Sequence, residues 1–329
     1  MIYHKTARPD WTRIAQKAIL ESAQTAPLHG PEQIYKYGQS SGLIERLFED
    51  ITRQNADAEY YEDEDYVVRW KRQDGQAVKI RIIDKTTELK RVKLVLSYDG
   101  RFFRGFQVQP NVRTVAGVLE EQISLVNDYR TRVHGASRTD EGVHALGQVA
   151  HFDTHHDFDE ERWRVILNHA LPYDVHVLDV AFVPFSFHAR YSVVHKVYQY
   201  VLNTGEYEPT RGHYEWTISP LDEAKLRMVL SEFVGTHDFT SFCTKGKEST
   251  VRTLLRTDLI RDGERLILTF EAEGFLHHMI RLIVSAALRI VRGELDETVA
   301  SLFAMKSRKK TNHIAPSSGL YLKQVIYND

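Results

Sequence analysis

"VRTLLRTDLIRDGERLILTFEA", residues 251–272, decides the fold class. Two apolar-rich runs flank Asp262-Gly263, residues that accept the backbone angles of a tight turn, so the stretch reads as two antiparallel strands. Downstream, the apolar stretch from Phe275 to about Val291 predicts a helix, a shorter helix follows, and "GLYLKQVIY" (319–327) reads as a last strand. Upstream lie a helix predicted from Pro220 to Phe233 and a long apolar-polar strand, "YSVVHKVYQYVLN" (191–203). The region before it runs through a similar order. "VKLVLSYDG" (92–100) alternates Val92, Leu94, Leu96 and Tyr98 on one face, and "TVAGVLEEQISLV" (114–126) sets Val115, Val118, Leu119, Ile123 and Val126 along a helix. The strand "QVAHFD" (148–153), the helix "ERWRVILNHAL" (161–171) and the strand "DVHVLDVAFV" (174–183) complete that half. Hairpin-type strands mixed with helices predict an α+β fold with mainly antiparallel sheet, rather than a doubly wound parallel one.

A chain of 329 residues exceeds one ordinary core, which favours two domains or two plus an appendage. Residues 1–89 read as that appendage: helical spacing at Trp11, Ile14, Ala15, Ala18 and Ile19, again at Leu43, Ile44, Leu47, Phe48 and Ile51, then a strand pair about Asp74-Gly75. The body divides into 90–192 and 193–329. A single cysteine, Cys243, excludes an intramolecular disulfide and a cysteine-based metal site. The N-terminus lacks the apolar core of a signal peptide, and the 275–291 stretch is interrupted by Arg281 and Arg289, so a cytoplasmic protein without a membrane span is expected. A net charge of −2 argues weakly against nucleic acid, but Lys306 to Lys310 and Arg130 to Arg138 are local basic clusters, which allow a basic face on a neutral protein. No phosphate-binding glycine loop is present, so no nucleotide cofactor is expected.

The stretch "GASRTDEGVHALGQVAHFDT" (135–154) sets a carboxylate, Asp140, between Arg138 and Gly142. Asp-Glu-Gly is an ordinary turn sequence, and on residue types alone a turn role is favoured. A turn, however, needs nothing from Arg138 or His144, whereas a nucleophilic carboxylate benefits from a cation that holds it ionised and aimed. His151 and His155 have HxxxH spacing but lie on a strand and its exit, where residues four apart do not converge, so no metal is expected there. His277 and His278, read as adjacent helical residues, lie about 100° apart and cannot both face one point. Cys243 with His237 offers a thiol nucleophile, though a lone cysteine among phenylalanines is more often core. On "KVYQY" the alternation puts Lys196, Tyr198 and Tyr200 on one face, a polar-aromatic surface suited to stacking on a base.

Taken in order, "SYDG" with F-x-G-F-Q and RTV-x-G-x-LE, "RTDEGVHALGQVAHF", LN-x-x-LP-x-DV, "FHARYS", K-x-Y-x-Y, "HDFTSF", "FLHHMIR" and AP-x-x-GLYL resemble the TruA family of tRNA pseudouridine synthases over about residues 90–329. The resemblance implies two ferredoxin-like halves joined through mixed, mainly antiparallel sheets, with the cleft between them, working as a homodimer. It implies that Asp140 is the nucleophile in converting uridine to pseudouridine in the tRNA anticodon stem-loop, at tRNA positions 38 to 40, without metal or cofactor. Carried over residue by residue, Arg138 enters the space of the flipped nucleotide or contacts its backbone, Tyr198 stacks on the uracil and accepts or relays the C5 proton, and Arg281 pairs with the aspartate. Leu320 packs against the uracil, and His144 and Lys196 join the substrate-binding set. Glu141 departs from the alanine common in the family, Leu282 and Ser285 stand after Arg281 where asparagine and glycine are frequent, and "RKKTNHIAPSS" departs from the usual approach to the last strand. The alternative from another class is an inactive tRNA-binding or chaperone protein on the same fold.

Overall fold

The computed structural model describes strands at 60–62, 66–73 and 76–84, and residues 89–127, 129–244 and 249–328. The helices expected within residues 11–19 and 43–51 lie outside them. The chain forms two compact units. The first holds strands β1 (Tyr60–Glu62), β2 (Tyr66–Gln73) and β3 (Gln76–Asp84) in one antiparallel sheet. Gln73 pairs with Gln76; the Asp74-Gly75 turn read from the sequence lies outside the described residues. Segments 123–131 and 153–157 belong to the same unit. They are tied to each other by Thr154 Oγ1, which donates to Asn127 Oδ1 at 2.8 Å, while Asn127 Nδ2 donates within its own segment to Thr131 Oγ1 at 2.8 Å.

The second unit is built on a ten-stranded sheet. Its elements are β4 (Lys90–Tyr98), α1 (Val115–Asn127), β5 (His134–Gly135), β6 (His144–Thr154), α2 (Glu160–Ala170), β7 (Val175–Val183), β8 (Val193–Asn203) and β9 (Trp216–Thr217). They continue with α3 (Glu223–Ser231), β10 (Gly235–Asp238), β11 (Val251–Asp262), β12 (Arg265–Ala272), α4 (Met279–Val291), α5 (Val299–Met305) and β13 (Leu320–Tyr327). The strand order is β10-β11-β12-β8-β13-β6-β4-β7, with β5 on β6 and β9 on β8. Asp262 pairs with Arg265 across the hairpin that opened the sequence reading. The order contains one arrangement twice. β4-α1-β5-β6-α2-β7 gives β7-β4-β6-β5, and β8-α3-β11-β12-α4-β13 gives β13-β8-β12-β11, so each half places its fourth, first, third and second strands in that sequence.

The halves join where β13 runs parallel to β6, with Tyr321 opposite His144 and Leu322 opposite Ala145. The β6 end of this seam is the exit of the loop that carries Asp140. The alternation on β4 buries Val92, Leu94, Leu96 and Tyr98 as read, and Trp163 of α2 packs edge-on against Phe152 at 5.1 Å. α4 is buried along most of its length, which explains its almost continuous apolar sequence. Two helix starts differ from expectation. The Asp222 side chain accepts the Lys225 N–H, so α3 begins after that cap rather than at Pro220. α4 begins at Met279, because His278 has φ +63° and sets residues 275–278 off the helix axis. Among the described residues, no helix is long and apolar enough to cross a membrane.

Candidate active site

The Asp140 loop is clamped by the stretch that follows β4. Gly100 lies so close to the loop that a Cβ there would stand 2.2 Å from the Val143 carbonyl oxygen, and at Gly105 (φ +87°) it would stand 2.8 Å from that of Thr139. The Phe106 N–H donates to Thr139 O at 3.0 Å, and the Tyr98 and Thr139 hydroxyls pair at 2.7 Å. From β6, the buried Gln148 accepts the Ser137 N–H at 3.1 Å and donates to Ser137 O at 2.8 Å. Asp140 occupies the turn its sequence predicts and also lines a cavity. Its backbone carbonyl accepts the Val143 N–H at 3.2 Å and closes a turn through Glu141 and Gly142, while its side chain faces a cavity.

That cavity has a volume of about 740 Å³, enough for a nucleoside, and its lining includes Arg138, Asp140, Lys196, Tyr198, Phe275 and Leu320. One carboxylate oxygen of Asp140, Oδ1, lies 3.5 Å from His277 Nε2. The other, Oδ2, lies 3.6 Å from His278 Nε2 and 3.9 Å from an Arg281 guanidinium nitrogen. Arg281 is fixed at the start of α4, where its Nε donates to Ala315 O at 2.6 Å. The divergent segment before β13 therefore supplies the acceptor that aims this arginine. Tyr198 donates to or accepts from Ser137 Oγ at 2.7 Å, and its ring meets Phe275 edge-on at 5.1 Å. Burial pushes its phenol well above the ordinary tyrosine range. Lys196 Nζ donates to Ala136 O at 2.8 Å, and burial, with Arg190 nearby, pushes its ammonium down to about 8. Glu141 is ion-paired with Arg104, which offsets the charge it adds beside Asp140. Asp140, His277 and His278 each present one potential metal-ligating atom, all within 4.8 Å of one another, and the Arg281 guanidinium competes with any ion for the same carboxylate.

The sequence pattern of the family described as tRNA pseudouridine synthase matches residues 95–192 and 229–328, more than half the chain and all of the cavity's lining except Lys196 and Tyr198. The chain belongs to the tRNA pseudouridine synthase family. It is 43% identical over 248 residues to tRNA pseudouridine synthase A of Maridesulfovibrio salexigens, covering 73% of this chain and 92% of that protein. The protein of the same name from Anoxybacillus flavithermus is 40% identical over 247 residues, 73% of this chain and 100% of the relative. That from Halalkalibacterium halodurans is 42% identical over 238 residues, 70% and 90% respectively. The crystal structure of the archaeal box H/ACA sRNP Nop10-Cbf5 complex aligns over 60% of this chain and 43% of that one, at 12% identity and a TM-score of 0.28, a likeness too low to bear on fold or function.

In this family member the fold brings Asp140, Arg138, Lys196, Tyr198 and Leu320 to one cavity, with Arg281 behind the carboxylate. His144 is not among them. It is 2% exposed, accepts the Gly100 N–H at Nδ1 and reaches His213 O with Nε2 at 3.0 Å, and it stacks on Tyr321 at 4.8 Å, so the ring pins the seam between β6 and β13. Tyr200, read as part of the stacking face, is fully buried with its hydroxyl donating to Pro316 O. His277 and His278 were expected on a helix and divergent. They precede it, and both reach Asp140. Cys243 is buried, with burial pushing its thiol up, and His237 is engaged with Val234 O and the Phe303 ring, so neither faces the cavity. The sequence did not single out Gln148, which holds Ser137, or Thr244, whose hydroxyl contacts His277 Nδ1 and lies 3.1 Å from His278 Nδ1. A glutamine inside an apolar strand is the one signal that could have marked the first.

The Arg281 fork implies a measurable effect. Arg281→Lys keeps a charge but cannot hold Ala315 O and the Asp140 carboxylate together. Turnover at saturating substrate is expected to fall about 10²-fold with little change in KM, as for removal of one aimed electrostatic contact. Steady-state kinetics on tRNA transcripts would show it.

Proposed function

We propose that the protein isomerises uridine to pseudouridine in tRNA, acting on the anticodon arm, with Asp140 as nucleophile. The observation that carries this reading is a single carboxylate in the lining of a nucleoside-sized cavity, backed by Arg281, in a chain about 40% identical to enzymes named tRNA pseudouridine synthase A. The reaction breaks the glycosidic C–N bond, turns the uracil and bonds C5 to ribose C1′. A carboxylate that attacks the ribose or stabilises positive charge at C1′ serves the first step, the logic also used by glycosidases. Tyr198 and Leu320 supply walls for the detached base. Arg138, Arg190, Lys196 and Arg252 line the same cavity, so the net charge of −2 coexists with a basic mouth suited to an RNA backbone. Flipping the uridine costs a few kcal/mol, which contacts from Arg138 would offset.

The same reading takes the protein to be cytoplasmic and a homodimer, with residues 90–192 and 193–329 as the two functional halves and residues 1–89 extending the RNA-binding or dimer surface. Family resemblance supports the dimer, and light scattering on the purified chain tests it. Carbodiimide mapping of pseudouridine on tRNA transcripts tests the main proposal: modified residues are expected in the anticodon arm, and their absence from tRNA treated with active protein would overturn the site assignment.

Lys196 adds a pH signature. With its free ammonium pushed to about 8 and an RNA phosphate favouring the charged form, binding takes up a proton above that pH. Affinity for tRNA is therefore expected to be flat up to about pH 7.5 and to weaken as pH rises through 8 to 9. Filter binding should show the slope in the native protein and a shallower one in Lys196→Met.

A further inference from the structure

The reaction needs a second group besides the nucleophile. Once C5 has bonded to C1′, C5 still carries its hydrogen, and that proton must leave. The C5–H pair then forms the C5=C6 double bond, the C6=N1 π pair moves to N1, and N1 takes a proton from water or from the protonated acceptor, so the step balances with one proton removed and one returned and needs no oxidant or reductant.

Besides Asp140, which serves C1′, four cavity side chains could take this proton. Tyr198 is a neutral phenol held above its ordinary range by burial and already paired with Ser137. Lys196 is largely cationic at neutral pH and donates to Ala136 O. The remaining candidates are the two histidines beside Asp140, and their wiring distinguishes them. The Thr244 hydroxyl contacts His277 Nδ1 and also lies 3.1 Å from His278 Nδ1, while the Thr244 N–H donates to His277 O at 3.2 Å. A hydroxyl has one proton to donate. At most one imidazole can accept it and so carry its own proton on Nε2. The other must donate Nδ1–H to the hydroxyl oxygen, and when neutral it turns a bare Nε2 lone pair toward Asp140.

Burial pushes His278 down to about 4, so it is neutral, and it is 19% exposed against 35% for His277. A bare nitrogen facing a carboxylate is tolerated better at the ring that opens to the cavity. In that arrangement His278 Nε2–H and the Arg281 guanidinium both face Oδ2, at 3.6 and 3.9 Å, and bias the carboxylate electrostatically toward that side. Oδ1 is left free for the ribose, and the His277 lone pair stands 3.5 Å from it. We propose that His277 is the acceptor of the C5 proton, with Thr244 setting its tautomer and His278 acting as a positioning residue for Asp140. This rests on the synthase reading above and adds to it the group that completes the isomerisation.

The test is single-turnover conversion of tRNA carrying uridine or C5-deuterated uridine, by the full-length protein, His277→Gln, His278→Gln and Thr244→Val, each at matched tRNA occupancy. In the native protein the two substrates should react at nearly equal rates. His277→Gln should be slowed about 10²-fold or more, the usual worth of an acid–base group, and should acquire a C5 isotope effect clearly above unity. Thr244→Val should show the same isotope effect with a smaller slowing, and it keeps the test decisive if His277→Gln does not fold. His278→Gln should slow without one. Added imidazole should partly restore His277→Ala. Equal rates on both substrates in His277→Gln and Thr244→Val would overturn the assignment. No turnover by the native protein would instead overturn the synthase reading itself.

Discussion

Asp140→Ala is expected to bind tRNA within a few-fold of the native protein and to form no detectable pseudouridine, a loss of at least about 10⁴-fold of the kind seen when a covalent nucleophile is removed. The expectation follows from how the site is divided. Binding draws on a cavity wall contributed by Arg138, Arg190, Lys196, Tyr198 and Arg252, none of which depends on the Asp140 carboxylate for its position. Tyr198 is held by Ser137, and Lys196 by Ala136 O. The loop backbone is held by Gly100, Phe106, Thr139 and the turn to Val143, all of which alanine leaves intact. In the mechanism proposed above, chemistry in contrast converges on the two Asp140 carboxylate oxygens. Equilibrium binding and quantification of pseudouridine on the same tRNA preparation check both halves, and a turnover near that of the native protein would remove Asp140 from the mechanism. An inactive tRNA-binding protein would show no difference between the two proteins in either assay.

Gly100→Ala is expected to be the most damaging substitution that touches no reacting group. The added Cβ would lie 2.2 Å from Val143 O and 2.5 Å from Val143 C, both backbone atoms at the exit of the Asp140 loop. Relief requires moving either Gly100, whose N–H donates to His144 Nδ1 and whose carbonyl accepts Phe103 N–H, or the start of β6, which is pinned to β13 through Tyr321 and His144. Forced overpacking of this kind costs about 3 kcal/mol. A lower midpoint in urea unfolding with an unchanged slope should report it, and the shift of Val143, three residues from Asp140, should also reduce turnover. A native-like midpoint would show that the clamp has more room than the backbone distances allow.

The parts of the fold that could be read from sequence are those where a local pattern meets a local cause. Alternation on β4 translates directly into buried Val92, Leu94, Leu96 and Tyr98, and Asp262-Gly263 marks a hairpin because those residues accept its angles. Asp140, Arg138, Tyr198, Arg281 and Leu320 were singled out through motifs in order; all but Arg281 line one cavity, and Arg281 stands behind the Asp140 carboxylate. What escaped was decided by tertiary context. His277 and His278 sit in a sequence that reads as the first turn of a helix, and only the left-handed backbone at His278 delivers both rings to the carboxylate. His144 carries no local sign that both its nitrogens are taken by distant backbone groups at Gly100 and His213. The pairing of β13 with β6 joins residues far apart in the chain, and no periodicity encodes it.

The most direct test of the central claim is release of tritium from tRNA transcripts labelled at uridine C5, with the full-length native protein in excess over RNA. Synthase chemistry breaks that C–H bond once per isomerised uridine, so release should plateau at a whole number of tritium atoms per tRNA, matched by the pseudouridine found in the same sample. Tight binding of the labelled tRNA with no tritium in the solvent would contradict the account.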